Sequence, residues 1–197
     1  MPAKASSSGE LDIQPLSAKR WPDLVKLFGE RGACGGCWCM WWRLKRAMFE
    51  KFKGEGNKRR FKKIVTTGET PGLIAYAKGE PVAWCAIAPR ETYPVLERSR
   101  VLGRVDDQPV WSVTCFFVAR PFRGRGVTTQ LLNSAAAYAR RQGARIVEGY
   151  PVEPRKGRMP EAFAWTGLAA AFRKAGFAEV ARRSKTRPIM RLAVRAH

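Results

Sequence analysis

The segment Trp111–Gln142, WSVTCFFVARPFRGRGVTTQLLNSAAAYARRQ, decides how the rest of the chain is read. From Val113 to Val118 nearly every residue is apolar, with β-branched and aromatic side chains prominent, the pattern of a strand covered on both faces. Pro121 ends it. Arg123-Gly124-Arg125-Gly126 then sets two glycines where backbone must come close to another group, and Val127, Leu131, Ala135 and Tyr138 recur at helical spacing until Gly143. The first amides of a helix have no internal acceptor and carry partial positive charge, so a glycine turn opening into one suits an anion. The two arginines add forked donors that match phosphate oxygens. Strand, double glycine and periodic helix together predict a phosphate-binding turn; the alternative is a plain strand-to-helix connection with a solvated arginine pair.

The stretch VARPFRGRGVTTQLL resembles the acetyl-CoA signature of the GNAT superfamily of N-acetyltransferases, which runs Arg or Gln, two residues, Gly, one residue, then Gly or Ala. The pattern falls on Arg123, Gly126 and Thr128, and the last position departs by carrying threonine. The resemblance implies an α/β (α+β) fold: a mixed, mostly antiparallel central sheet splayed at one parallel pair and flanked by helices. It also implies acetyl-CoA as cosubstrate. Backbone amides of Arg123, Gly124, Arg125, Gly126, Val127 and Thr128 would cradle its pyrophosphate, and the strand near Phe117 and Val118 would pair with the pantetheine arm.

Composition bounds the partners. The chain has 197 residues, enough for one good core, and we expect a flexible tail over residues 1–9 and a single domain over 10–197. It shows no apolar run of membrane-spanning length and no secretory pattern, so the expected location is cytoplasmic, with no membrane partner and an assembly no larger than a homodimer. Five cysteines without a secretory segment read as reduced thiols. The net charge of +21 reads as a solvated basic surface, or as a surface for nucleic acid or the ribosome.

Upstream, Leu11–Leu16 alternates weakly as a first strand, Ser17 caps a helix with Trp21, Leu24, Val25 and Phe28 on one face, and Gly29 to Gly32 ends it. Then comes Ala33–Arg43, ACGGCWCMWWR. Cys34, Cys37 and Cys39 offer soft metal ligands, but a fourth is missing, because the single histidine is the terminal His197 and Cys85 and Cys115 fall in predicted strands. We therefore expect no metal. The resemblance implies instead that Trp38, Trp41 and Trp42 line the acceptor's pocket; core packing is the competing explanation. Residues 44–60 are basic, Asn57 is a helix cap ahead of Phe61, Ile64 and Val65, and Pro71-Gly72 opens a hairpin over Leu73–Lys78 and Pro81–Ala88. The charged, proline-containing stretch Pro89–Pro109 reads as a surface excursion.

Beyond the central helix, Ala144–Val152 reads as a strand completing a β-α-β crossover, residues 154–161 as a basic loop over the ligand, Phe163–Ala175 as containing a helix, and Phe177–Val180 and Ile189–Val194 as the last strands. FRKAGFAEVARR resembles the GNAT pattern of a helix ending at Gly-Phe. In that family a tyrosine on this helix often protonates the departing thiolate, and here Phe172 stands at its position. Tyr150 is the first substitute, followed by Cys115 and Thr166; Glu148 and Glu153 are the candidate bases. Alternation sets Glu148 and Tyr150 on one side of their strand. The expected reaction is direct acetyl transfer to the amine of a small molecule. The alternatives are acetylation of a macromolecule such as tRNA or a ribosomal protein, and a non-catalytic acyl-CoA-binding module.

Overall fold

Seven strands form one sheet in the order β1-β2-β3-β4-β5-β7-β6 in the computed structural model, which describes residues 11–154 and 164–194. The elements in chain order are β1 (Asp12–Pro15), α1 (Trp21–Phe28), α2 (Arg46–Lys51), α3 (Glu55–Thr66), β2 (Gly72–Ala77), β3 (Glu80–Pro89), α4 (Pro94–Glu97), β4 (Trp111–Val118), α5 (Val127–Arg141), β5 (Ile146–Gly149), α6 (Ala169–Lys174), β6 (Ala178–Arg182) and β7 (Pro188–Ala193). Every pairing is antiparallel except β4 with β5. This is the mixed, mostly antiparallel sheet with one parallel pair that the sequence led us to expect.

Local chemistry accounts for the elements. Lys78 and Gly79, at φ 51° and 81°, make the left-handed two-residue turn whose twist suits a β2–β3 hairpin. The α5 helix follows β4 through the glycine turn and buries Val127, Leu131, Leu132, Ala135, Ala136, Tyr138 and Ala139. With α6, whose Phe172 joins the same cluster, it covers one face of the sheet over Leu73, Val113, Phe116 and Met190. The α1 and α3 helices and the loop between them cover the other face over Ile74, Trp84 and Ala86. A third cluster gathers Trp42, Tyr93, Leu96, Leu102, Tyr150 and Ile189.

The parallel pairing is short. It runs only from Trp111↔Val147 to Val113↔Gly149, so β4 continues for five residues with no strand on that side. The antiparallel register of β3 on β4 also slips here: Ala86 faces Cys115 and Ile87 faces Val113, leaving Thr114 as an extra residue. Such a bulge bends and twists the strand that carries it. The two strands therefore fork at the point where Thr114 stands.

Several expectations need correction. Asn57 is not a cap: it lies inside α3, wholly buried, donating its side-chain amide to the Gly36 carbonyl at 3.2 Å, while Gly54 precedes the helix. The basic run ahead of it holds a further short helix, α2. Ser17 precedes a 3-10 turn before α1 and makes no side-chain capping bond. Pro89–Pro109 is not merely a surface excursion, because Arg90, Tyr93, Leu96 and Leu102 are buried. The strand read over Ala144–Val152 is confined to β5, and the helix read within Phe163–Ala175 to α6. The expected tail and most of the expected basic loop lie outside the described residues.

Candidate active site

The glycine turn sits where β4 runs out. Gly124 and Gly126 hold φ 72° and 76°, and a Cβ built on either would meet nothing within 4 Å, so the turn faces open space. The first helix amides to find a backbone acceptor are those of Thr129 and Gln130, both on the Gly126 carbonyl at 3.0 and 3.2 Å. Among the described residues the amides from Gly124 to Thr128 have no backbone acceptor, the state in which a helix start receives an anion. Arg123 folds its Nε–H onto the Val118 carbonyl at 2.8 Å, whereas Arg125 is exposed.

The forked edge of β4 is closed by the chain itself. The Trp42 indole donates to the Thr114 carbonyl at 3.1 Å, the Phe116 amide donates to the Trp165 carbonyl at 2.7 Å, and Arg123 takes the Val118 carbonyl. Phe117 lies opposite Trp84 in the β3–β4 register and packs its ring against Phe28. Trp165 is pinned by two rings, its centroid 6.5 Å from Trp41 and 5.6 Å from Trp42. The structure thus brings together two of the three tryptophans singled out in sequence and adds a fourth. Trp38 goes elsewhere: it is fully buried, 6.0 Å from Trp21 and 5.6 Å from Phe28.

The segment that delivers these tryptophans is strained. Ala33, Trp38 and Cys39 adopt φ 65°, 42° and 55°, a region costly for residues with a Cβ. It is held by the Asn57 contact, by the Gly54 amide on Gly36 at 3.0 Å, and by the Trp84 indole on the Cys39 sulfur at 3.1 Å. All five cysteines are unbridged. Among the described residues no three histidine, cysteine, aspartate or glutamate side chains are arranged to hold a metal. Burial and the neighbouring Cys39 push the Cys37 thiol up to about 12, and a hydrogen bond with Cys39, then burial, raise Cys115 well above a thiol's ordinary value. Neither is a ready nucleophile.

Glu148 in β5 and Tyr150 just past its end do meet on one side, and both are completely buried. The Glu148 carboxylate is occupied on both oxygens: Arg90 reaches Oε1 at 2.9 Å and Arg191 reaches Oε2 at 2.7 Å. The Tyr150 hydroxyl donates to Glu148 Oε1 at 2.6 Å, accepts from Arg90 at 2.5 Å and lies 2.8 Å from the Ser112 hydroxyl. Burial, and after it the Glu148 charge, raises the Tyr150 phenol well above its ordinary value, so it stays protonated at neutral pH. Arg90 and Arg191 extend outward to Glu97 and Asp106, each at 2.8 Å or less. Glu153 is held low by hydrogen bonds from Arg173 and Arg182. Thr166 accepts from Arg187 at 3.1 Å. Phe172 offers no proton: its ring lies over Gly149, where an added Cβ would sit 2.1 Å away.

A cavity of about 350 Å³ lies at the far β1 edge of the sheet, lined by Asp12, Gln14, Lys19, Arg20, Asp23 and Tyr76. Several of its polar groups satisfy one another, with the Tyr76 hydroxyl on Asp23 at 2.7 Å and Arg20 on Gln14 at 3.3 Å. No helix among the described residues is long and apolar enough to cross a membrane.

The model of the acetyltransferase (GNAT) family matches residues 38–155. No curated protein matches the chain. Among solved structures, the fold is similar to an acetyltransferase of the GNAT family from Listeria monocytogenes, at 9% identity over 97% of this chain and 99% of that one with a TM-score of 0.57. It is similar to the GNAT domain of S. lividans PAT, at 18% identity over 94% and 91% with a TM-score of 0.52. It is also similar to the PaiA N-acetyltransferase from Thermoplasma acidophilum in complex with coenzyme A, at 14% identity over 93% and 99% with a TM-score of 0.51.

Proposed function

The chain belongs to the GNAT family of acetyltransferases, whose cosubstrate is acetyl-CoA, and from that premise we propose that it acetylates the amine of a small molecule at the β4–β5 fork. One observation carries this reading: the open glycine turn at one end of the β4 edge and the tryptophan cover at the other are the two ends that a phosphate-headed thioester needs. In this reading residues 10–197 work as one unit.

Amides from Gly124 to Thr128, with Arg123 and Arg125, hold the pyrophosphate. The pantetheine arm lies along Phe116 to Val118 and exchanges its own hydrogen bond for that of the Trp165 carbonyl. Acetyl-CoA supplies an activated carbonyl; the neutral amine nitrogen adds to it, the carbon–sulfur bond breaks, the nitrogen loses its proton to water and the thiolate takes one up. Tyr150, protonated and just past the last paired residue of β5, is the proposed donor to sulfur. Glu148 is engaged on both oxygens and is proposed to orient Tyr150 instead of serving as the base.

A second reading, an amine on a nucleic acid, is favoured by Lys45, Arg46, Arg59 and Lys62, which are exposed near the tryptophan loop with no carboxylate among the described residues. Steep salt dependence of RNA binding would carry it, and absence of binding at physiological salt would remove it.

The testing experiment is thermal unfolding with and without acetyl-CoA, for the wild type and Gly126→Glu. At ~100 times its dissociation constant the ligand adds ~2.7 kcal/mol to the wild type. The variant is expected to fold and to lose that gain, because its carboxylate occupies the anion's place. A wild type that gains nothing overturns the reading.

A further inference from the structure

We infer that the acyl end of this site takes a carboxylate-bearing substrate, recognised by Arg43 and Arg187. The inference rests on placing the transfer chemistry at the fork.

Five arginines of the described residues are neutralised within the fold. Arg90, Arg104, Arg173, Arg182 and Arg191 each reach a carboxylate, at distances from 2.5 to 3.0 Å. Arg43 and Arg187 reach none among the described residues, although both are half-buried. Among the described residues the side chain of Arg187 donates to the neutral Thr166 hydroxyl alone, and burial pulls its pKa down. Arg43 stacks its guanidinium 4.9 Å from the Tyr93 ring centroid, with Nη2 enclosed and without an acceptor. The Tyr93 hydroxyl, on a residue 1% exposed, lies near the Thr114 side chain but likewise makes no hydrogen bond of normal geometry.

The chain neighbours of the two arginines meet at the fork. Arg43 follows Trp42, whose indole sits on the Thr114 carbonyl; Thr166 follows Trp165, whose ring meets Trp42. Cations withdrawn from water without a counter-charge are unfavourable, and a ligand anion reached by both would relieve them at once. The phosphates of coenzyme A are not that anion. The glycine turn begins beyond Val118, and at ~3.3 Å per residue Val118 alone is ~13 Å along the strand from Thr114. A planar carboxylate matches a guanidinium fork, and the surrounding rings suit an apolar body.

The carboxylate has two sources: the acceptor, which is then an amino acid, or the acyl group, which is then a dicarboxylic half-thioester such as succinyl. It is unchanged in the reaction, since only the carbon–sulfur bond breaks and the carbon–nitrogen bond forms.

Calorimetric binding to the full chain separates them. In one arm a panel of amino acids is titrated against the corresponding decarboxylated amines, with and without coenzyme A; in the other, succinyl-CoA is titrated against acetyl-CoA. One arm is expected to favour the carboxylate by about tenfold or more, as charged hydrogen bonds do. Arg43→Gln and Arg187→Gln are expected to abolish that preference while leaving acetyl-CoA binding intact, and Arg187→Lys to restore part of it. A preference below about twofold in both arms, or one that survives in both glutamine variants, overturns the inference. Failure of the wild type to bind acetyl-CoA is a separate outcome: it removes the proposed function, while the amine arm without coenzyme A and the succinyl-CoA arm together still decide the carboxylate question.

Discussion

Two arginine-bearing regions flank the same fork, and they are built to opposite rules. Around Glu148, Arg90 and Arg191 are neutralised by three carboxylates, with Tyr150 and Ser112 filling the remaining bonds. Around Trp42 and Trp165, Arg43 and Arg187 have rings, a hydroxyl and, among the described residues, no carboxylate. A closed charge network holds strands in register and resists change. An open one is stable only because its cations keep part of their water, and it answers to whatever anion arrives.

The contrast is broken most directly at its closed end. Glu148→Ala leaves two guanidiniums, one of them fully enclosed, without their shared carboxylate, and is expected to cost ~3–5 kcal/mol in urea unfolding. A loss under ~1 kcal/mol would mean that Asp106 and Glu97 suffice and that the network is no tighter than a surface pair. Tyr150→Phe is expected to remove ~1–3 kcal/mol through the unpaired Ser112 hydroxyl and lost Glu148 bond, and to lower kcat by at least ~100-fold if the phenol protonates sulfur. Loss of stability with kcat intact would leave Tyr150 a structural member of the network.

The pH dependence refines this. An unfolded phenol titrates near pH ~10, whereas burial raises Tyr150 and Tyr93 in the folded chain. Above ~10 the folded state thus holds protons that the unfolded state has released, and stability falls as pH rises through the folded values. Thermal midpoints between about pH 8 and 11 are expected to show that decline, shallower in Tyr150→Phe. At the open end the effect is smallest. Arg187→Gln breaks no ion pair among the described residues and is expected to move stability by no more than ~0.5 kcal/mol, in either direction. A large loss there would show that Arg187 is a structural strut and not a waiting cation.

How much of this was legible in sequence depends on the range of the interaction. The β4-turn-α5 unit and the β2–β3 hairpin were readable because period, glycine placement and turn residues lie within a few positions of each other. Arg90 was hidden in a charged stretch that looked solvated, although Arg90, Tyr93 and Leu96 stand three apart, as the turns of a short helical segment require. Asn57 misled for the opposite reason, since an asparagine that caps a helix and one that bonds a distant carbonyl look the same in sequence. Trp165 gave no signal at all: what places it at the fork is a backbone carbonyl meeting an amide on a remote strand. Ring partners likewise separate Trp38 from Trp41 and Trp42 within a single short segment.

The forked edge of β4 has one more consequence. A strand that loses its neighbour midway exposes a row of unpaired amides and carbonyls, the surface on which a second molecule adds a strand and aggregation begins. Here an indole, a tryptophan carbonyl and a guanidinium take the places of that missing neighbour, one at each of Thr114, Phe116 and Val118. The free protein therefore guards its own most adhesive line with groups that are not a strand and cannot recruit one.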